Sequence, residues 1–401
     1  MAGGSRPPEP SGEARGPLDA HFAAALEAID ARGQRRRLDP AAIMPGGRIA
    51  RGGRQLLDFS SNDYLGLSQH PLLIERAGEW AELLGAGAGA SRLVTGTSEA
   101  HLAVEAKIAR FKGTEAALLF ASGWQANAAV IPALISAVSG MAVFTDRLIH
   151  ASMHAGCAAA GARQHRFRHN DLDHLEELLA SKGADAPARL ILTESVFSMD
   201  GDLADLPRLA AIARRHDAFL FVDEAHATGV FGPGGAGLSA LVPGGVDLAL
   251  GTFSKAMGSF GAYVAGSRLL IDYLINACGG FIFSTAPPPA VLGTIDAALD
   301  LAPEMGAERA RLADLAWHLR AGLAAAGYDT GASASQIVPA IVGDTDAVMA
   351  LSGRLAEAGV LAAAIRPPTV PPGTSRLRLA LRAVHEAADI DRLLDAMGPA
   401  R

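Results

Sequence analysis

Short, uninterrupted apolar runs alternate with longer helical stretches between about residues 70 and 290. The runs are continuously apolar rather than alternating apolar and polar, which is typical of strands covered on both faces of a sheet. Strands that alternate with helices along a chain form an α/β fold with a mostly parallel central sheet covered by helices. The sequence therefore predicts this fold. The clearest predicted strands are ARLILTES, AFLFVDEAH, VDLALGTFSK and GAYVAG.

The pattern changes near APPPA (286–290), and the strands and helices that follow predict a smaller C-terminal α+β domain. A chain of 401 residues with 50 % hydrophobic residues is long enough for two or three domains with a large core. The first residues are polar and rich in Pro and Gly, which is typical of a disordered tail. We therefore predict a tail (1–18), an N-terminal segment (19–65), a large domain (66–290) and a small domain (291–401).

Charge and cysteine content exclude several classes of function. The net charge of −7 and pI of about 5.9 argue against nucleic acid as a partner. Cys157 and Cys278 are the only cysteines and have no metal-like spacing, so we expect neither a metal site nor a disulfide framework. No charge lies between Glu115 and Asp146, but polar residues and a proline interrupt this interval, which favours strand–helix–strand over a membrane span. No secretory signal is visible, and we expect a cytoplasmic protein.

The carboxyl ends of the predicted strands are rich in polar and reactive side chains. Ligands of open parallel sheets bind beyond these ends. Lys255 is one of only four lysines and follows a predicted buried strand, whereas Lys107 and Lys112 lie on a charged helix face and Lys182 in a polar loop. The residues at these ends are Ser122, Gly123, Trp124, Asp146, His150, Glu194, Ser198, Asp223, His226, Thr252, Ser254 and Lys255.

Each of these residues also has an ordinary structural interpretation. Asp223 could cap the following helix, and Lys255 could be a solvated loop lysine. His150 and His226 could be surface or core histidines, and Ser122 could be no more than a helix cap. Their recurrence at the same position in successive strand–helix units favours one common site.

The set of side chains suits pyridoxal phosphate (PLP). The aldehyde of this cofactor needs a lysine amine, which Lys255 provides. The pyridine nitrogen needs a carboxylate that keeps it protonated, which is a role for Asp223. The phosphate needs backbone N–H groups at a helix N-terminus and hydroxyl groups, which Gly123 and Thr252 can supply. The flat ring of His150 can stack on the cofactor, and the sequence therefore predicts a PLP site.

Two other motifs lack the context that their usual functions need. DEAH (223–226) also occurs in helicase-like ATPases, but the chain has no G-x-x-x-x-G-K-[ST] loop. GAGAGA (85–90) fits a dinucleotide fingerprint, but it follows a predicted helix instead of a strand, which favours a loop near the site.

Eight stretches, among them DFSSNDYLGLSQHP, FRHNDLDHLEELL and GTFSKAMGSFGAYVAG, resemble the α-oxoamine synthases. These are fold-type I PLP-dependent transferases that condense an amino acid with an acyl thioester and release CO2. The resemblance implies that fold, PLP as cofactor and a homodimer. The stretch IRPPTVPPGTSRLRLALRAVHE is most similar to members that condense L-alanine with a pimeloyl thioester, carried by coenzyme A or a carrier protein, in biotin biosynthesis. The alternative is glycine C-acetyltransferase or another member of the family.

The resemblance also implies residue roles at the cofactor. Lys255 would hold the cofactor and act as a base, Asp223 would pair with the pyridine nitrogen, and His226 with the phenolic oxygen. His150 would stack on the ring and take part in catalysis. The other implied contacts are Gly123, Trp124, Ser198 and Thr252, with Thr285 reaching the phosphate of a partner subunit.

Substrate contacts are implied near both ends of the chain. Asn62, Arg366 and Thr369 would face the substrate, together with His150. Arg35 matches a substrate-contacting arginine of the family. Because the spacing there differs by about one residue, Arg36 is the alternative.

Overall fold

Strands and helices alternate through the middle of the chain, as the apolar runs predict. The computed structural model describes residues 16–36 and 38–400, so most of the predicted tail (1–18) lies outside the described residues. The strands are β1 (Ala41–Met44), β2 (Arg48–Arg51), β3 (Arg54–Asp58), β4 (Ala116–Phe120), β5 (Ala142–Asp146), β6 (Gln164–Phe167), β7 (Arg189–Glu194), β8 (Ala218–Asp223), β9 (Leu248–Thr252), β10 (Ala262–Gly266), β11 (Ile337–Gly343), β12 (Val360–Leu361), β13 (Ala363–Ile365) and β14 (Ser375–Ala380). The helices are α1 (Asp19–Ala31), α2 (Pro71–Leu84), α3 (Glu99–Lys112), α4 (Gly123–Ser136), α5 (Ala151–Ala159), α6 (Leu172–Lys182), α7 (Leu206–Arg215), α8 (Arg268–Ala277), α9 (Gly279–Ile282), α10 (Pro289–Leu301), α11 (Gly306–Ala325), α12 (Thr345–Glu357) and α13 (Ala387–Met397). Shorter helical turns lie at Leu67–Gln69, Arg92–Gly96, Pro233–Gly235, Leu238–Leu241 and Ala302–Glu304.

A seven-stranded sheet with the spatial order β4-β10-β9-β8-β7-β5-β6 forms the centre of the molecule. Only β10 runs antiparallel to its neighbours, β4 and β9. Alternate residues of β7 belong to different apolar clusters, with Leu190 and Leu192 on one face and Ile191 on the other. Both faces of the sheet are therefore covered, which explains the continuously apolar strands and confirms the predicted fold class.

The first turns of the helices that follow the strands are capped by side chains. The hydroxyl of Ser122 accepts a hydrogen bond from the backbone N–H of Gln125 and starts α4. His150 starts α5, where its Nδ1 atom accepts from the backbone N–H of Ser152. Both caps place a helix N-terminus, with its unpaired N–H groups, at the carboxyl edge of the sheet.

Two smaller sheets lie outside the central one. The first has the order β1-β2-β3-β12, and β12 pairs in parallel with β3, Val360 opposite Leu57. The second is antiparallel, with the order β11-β14-β13. The strand pair β3–β12 joins the N-terminal segment to the C-terminal region, while the division of the chain at residues 65 and 290 stays a prediction.

The long uncharged interval after Glu115 forms β4, α4 and β5. Among residues 16–36 and 38–400, no helix combines the length and the apolar character needed to cross a membrane. Within the same residues, no group of His, Cys, Asp and Glu side chains is arranged to hold a metal ion. Cys157 and Cys278 are buried free thiols.

Lys112 is buried, and its prediction as part of a charged helix face is wrong. Its Nζ atom lies 2.5 Å from the buried Glu224 carboxylate and 3.0 Å from the hydroxyl of Ser239, and it also donates to the Ala236 carbonyl. A buried charge needs a partner, and Glu224 provides one. Because Glu224 follows Asp223 directly, this ion pair anchors the DEAH segment to α3.

Candidate active site

A cavity of about 200 Å³ lies at the carboxyl ends of the central strands. The cavity contains every predicted cofactor contact of this chain except Ser198 and Thr285. Its lining residues come from the ends of five separate strands. Its lining residues are Ser122, Gly123, Trp124, Asn127, His150, Ser152, Glu194, Asp223, Ala225, His226, Thr252, Ser254 and Lys255.

Lys255 lies in the connection between β9 and β10 and points into this cavity. Burial lowers the pKa of its ammonium group, while the charges of Asp223 and Glu194 oppose that shift. The turn after Lys255 needs glycine at position 258, where φ is +63° and a Cβ atom would lie 2.4 Å from the carbonyl carbon of Leu67. A lysine with a lowered pKa is neutral more often, which suits both covalent attachment and proton removal.

Asp223, at the end of β8, is only 5 % exposed. Its Oδ1 atom accepts from the backbone N–H of Ala225 at 2.9 Å, and its Oδ2 atom accepts from the amide of Asn127 at 2.7 Å. The Asn127 amide also donates to the hydroxyl of Ser152, whose oxygen lies 2.6 Å from His150 Nδ1. Asp223 and His150 are thus connected by hydrogen bonds through Asn127 and Ser152. No α-helix starts directly after Asp223, so helix capping does not explain why an aspartate lies there.

The two predicted site histidines are neutral near pH 7. Burial lowers the pKa of His150, and the Asp223 charge only partly opposes this. Burial places the pKa of His226 well below its ordinary value, and the charges of Lys255 and Arg378 lower it further. The Nδ1 atom of His226 lies 2.6 Å from the hydroxyl of Tyr64. A neutral imidazole has one donor and one acceptor nitrogen, so each ring can orient one polar group of a ligand.

Glu194 is a carboxylate that the sequence places at a strand end but that we did not predict as a site residue. It is 2 % exposed, and its Oε1 atom has no hydrogen-bond partner. Burial and the nearby Asp223 charge raise its pKa well above the ordinary value. This shift favours the protonated form of Glu194, which leaves Asp223 as the better candidate for the counter-charge of a cationic ring.

The predicted substrate contacts divide into two groups. The Oδ1 atom of Asn62 accepts from Tyr64 and from Arg378 at 3.0 and 3.2 Å, and so connects to His226. Asn62 does not itself line the cavity, and the other residues have no such connection to it. Arg35 pairs with Asp30 on the surface, Arg36 and Thr369 are exposed, and Arg366 contacts the Met349 sulfur.

Arg378 is a site residue that the sequence reasoning missed. It lies in β14, is 6 % exposed, and its Nε atom donates to the Ser198 carbonyl at 2.5 Å. No acidic side chain among the described residues pairs with it, although Arg376 and Arg382 nearby pair with Asp200 and Asp63. The signal for Arg378 in the sequence was its position inside the otherwise apolar strand RLRLALR. Arginine is rarely buried unless another group pairs with it, so a buried arginine indicates a binding partner.

Comparison with known proteins identifies the family. The family model for aminotransferase class I and II matches residues 54–397. The 8-amino-7-oxononanoate synthase of Gluconacetobacter diazotrophicus is 59 % identical over 385 residues, which cover 95 % of this chain and 96 % of that protein. The protein of the same name from Geobacter sulfurreducens is 49 % identical, with 94 % and 96 % covered. The chain belongs to the 8-amino-7-oxononanoate synthase family.

Solved structures of related enzymes share the fold. Serine palmitoyltransferase from Sphingomonas wittichii superposes with a TM-score of 0.88 at 32 % identity, over 95 % of this chain and 96 % of that one. An 8-amino-7-oxononanoate synthase from Francisella tularensis gives 0.74 at 26 % identity, over 85 % and 96 %. The resemblance to α-oxoamine synthases is therefore confirmed, and the chain is a fold-type I, PLP-dependent acyltransferase of the 8-amino-7-oxononanoate synthase family.

The cavity of this family member fits PLP. An amine, a buried carboxylate and neutral imidazoles line it, and the N-terminus of α4 points at one end. A Cβ atom at Gly123 would lie 2.8 Å from the Thr252 side chain, so only glycine leaves this approach to the backbone N–H groups open. Lys255, Asp223 and His226 are the residues that would hold the aldehyde, the pyridine nitrogen and the phenolic oxygen.

Proposed function

We propose that this protein condenses L-alanine with a pimeloyl thioester, releasing CO2 and the free thiol and forming 8-amino-7-oxononanoate for biotin biosynthesis. The observation that supports this most is the position of Lys255 in one cavity with Asp223, His150 and His226, in a chain of this family. The stretch from Ile365 to Glu386, by which we distinguished the alanine-specific members, supports the choice of substrate.

Four side chains of the cavity have a defined task in this reaction. When bound, PLP would supply an electron sink for bond breaking at the amino-acid Cα. Lys255 would hold the cofactor aldehyde, and its amine would accept the Cα proton of the substrate. The Asp223 carboxylate would keep a proton on the pyridine nitrogen. His226 would orient the phenolic oxygen, and His150 would pack on the ring and polarise the carboxylate or ketone of the substrate.

Arg378 binds the carboxylate of L-alanine in this proposal. It is a buried guanidinium without an acidic partner among the described residues, and Asn62 lies beside it. Its guanidinium donates to the Tyr64 hydroxyl at 3.4 Å, and this hydroxyl lies 2.6 Å from His226 Nδ1. The Arg378 charge also lowers the pKa of Lys255 and of His226. Guanidinium groups form paired hydrogen bonds with carboxylates, so a substrate carboxylate supplies the missing counter-charge.

Replacing Arg378 with lysine tests this role. We expect kcat/KM for L-alanine to fall about 10- to 100-fold, since one charge-assisted hydrogen bond contributes about 1.5–3 kcal/mol. The KM for pimeloyl-CoA should stay within about twofold, because the substitution keeps the charge and the thioester does not use it. Steady-state kinetics with each substrate varied in turn measure both values. Arg376→Lys is the matched control in the same strand, and a KM change for the thioester alone would contradict the assignment.

We propose a homodimer as the active form. Trp124 lines the cavity yet is 54 % exposed, and Phe283 is 86 % exposed. The residues that follow them in the chain are joined, since the Gln125 amide donates a hydrogen bond to the Ser284 hydroxyl at 2.7 Å. A second copy of the chain would cover these apolar side chains and could place Thr285 near the partner's phosphate group.

The test of the proposed function is the visible absorption of the PLP-loaded protein, followed by product analysis. L-alanine should change the cofactor band, and pimeloyl-CoA or the pimeloyl carrier protein should then yield 8-amino-7-oxononanoate. A response to glycine with acetyl-CoA, and none to alanine, would assign the protein to glycine C-acetyltransferase activity instead. A protein that binds no PLP would contradict the proposal entirely.

A further inference from the structure

One partly exposed imidazole and two buried carboxylates form a cluster outside the cavity. His169 lies two residues after β6, with its Nδ1 atom 3.0 Å from Asp146 Oδ1 and its Nε2 atom 2.8 Å from Asp202 Oδ2. The ring packs edge-on against Phe197, with centroids 4.4 Å apart. Because both ring nitrogens face carboxylate oxygens, both carry protons and the ring is an imidazolium.

The first carboxylate belongs to the segment that leads to His150. Asp146 is the last residue of β5 and is fully buried. Its Oδ1 atom accepts from the backbone N–H of Leu148, and its Oδ2 atom accepts from the backbone N–H of Asn170, both at 2.8 Å. Asp146 therefore fixes the turn that ends at His150, the ring-stacking residue of the proposed function.

The second carboxylate belongs to the loop that contains Ser198. The backbone N–H of Phe197 donates to the Asp202 carbonyl at 3.1 Å and closes this loop. The Asp202 side chain accepts from the Asn170 amide at 2.6 Å as well as from His169. The Ser198 carbonyl in the same loop accepts from Arg378. The position of this loop thus affects Ser198, a predicted cofactor contact outside the cavity lining, and the arginine that we assign to the substrate.

We propose that His169 is a positioning residue of the cofactor site, whose bridge between Asp146 and Asp202 fixes the positions of His150 and Ser198 relative to each other. This role rests on the proposed function, in which His150 packs on the cofactor, and on the cofactor contact that the family resemblance implies for Ser198. His169 itself lines no part of the cavity and acts only through the two carboxylates.

The charge of His169 is maintained over a wide pH range. Burial acts to lower its pKa, but hydrogen bonds and charge from Asp146 and Asp202 outweigh burial and raise the pKa to about 10. These two are the titratable groups that contact the ring among the described residues, and the neighbouring Arg168 pairs instead with Asp171 at 2.7 Å. Because the pKa is raised by folding, the bridge is complete below about pH 6.5 and is lost as the pH rises through about 10.

Asp202→Asn tests the proposal, with the fraction of PLP retained by the holoenzyme after gel filtration as the readout. The wild-type protein should retain PLP until the pH approaches 10. In the variant, one of the two carboxylates that hold the proton is neutral, so we expect the midpoint of PLP loss to fall by about one to three pH units. His169→Gln should lose PLP at pH 7.5 and show no such midpoint.

Asp171→Asn is the matched control, since it removes a partly exposed carboxylate from the same segment. It should leave the pH profile unchanged. A lower thermal stability of Asp202→Asn with an unchanged midpoint would overturn the proposal, because the cluster would then only support the fold. His169→Gln that retains PLP like the wild-type protein would overturn it as well. A wild-type protein that binds no PLP would contradict the proposed function together with this role.

Discussion

We expect Lys255→Ala to abolish turnover and to leave the fold intact. Among the residues that line the cavity, Lys255 provides the only amine, and the proposed reaction uses it twice, to hold the cofactor and to move the Cα proton. We expect kcat to fall by about four orders of magnitude or more, the upper range for loss of a general base. Product formation from L-alanine and pimeloyl-CoA measures the rate, and the visible cofactor band should disappear.

The exposed Lys182, at the end of α6, supplies a control for this experiment. Lys182→Ala should keep full activity, because it removes an ammonium group far from the carboxyl edge. Circular dichroism and thermal unfolding of Lys255→Ala should match the wild-type protein. Full activity of Lys255→Ala would contradict the cofactor site and the mechanism.

Asp223→Asn has the second largest expected effect. The substitution keeps the side-chain shape and an acceptor for the Ala225 N–H, but removes the buried negative charge that faces the pyridine ring. Removing one partner of a buried ion pair costs about 3–5 kcal/mol, so kcat/KM should fall about 10²- to 10⁴-fold. Steady-state kinetics with L-alanine measure this loss.

Asp247→Asn is the control for this charge. Asp247 lies at the opposite end of the same sheet, where its carboxylate accepts a hydrogen bond from the Leu220 N–H. Its replacement should leave kcat/KM unchanged within about twofold, because, among the described residues, Asp247 shares no partner with the residues of the cavity. A loss below tenfold in Asp223→Asn would show that another group keeps the ring protonated. Glu194 is the other acid that lines the cavity, and its pKa should fall once the Asp223 charge is gone.

The central sheet was predictable from sequence because each strand is a short apolar run covered on both faces. The hairpin of β1 and β2 was not predicted, since its residues are partly exposed and show no clear alternation. The Gly-Gly pairs at 46–47 and 52–53 were the available signal. All four glycines have positive φ, which is typical of tight turns between strands.

The site residues at strand ends could also be predicted, because parallel strands bring their carboxyl ends to one edge. Lys255, Asp223 and His226 meet in the cavity for this reason. Arg378 and Tyr64 could not be placed in this way. They come from segments outside the alternating region, and periodicity alone does not show how such segments dock on the central sheet.

The pairing of β3 with β12 affects how the protein is made. Leu57 leaves the ribosome roughly 300 residues before its partner Val360, which at about 5–20 residues per second is a delay of roughly 15–60 s. Throughout that time the edge of β3 that later pairs with β12 is open. Asn62 and Tyr64, which follow β3, also lack the hydrogen bonds that Arg378 donates to them. The central sheet can form during synthesis, whereas the substrate end of the site is completed only after nearly the whole chain has been translated.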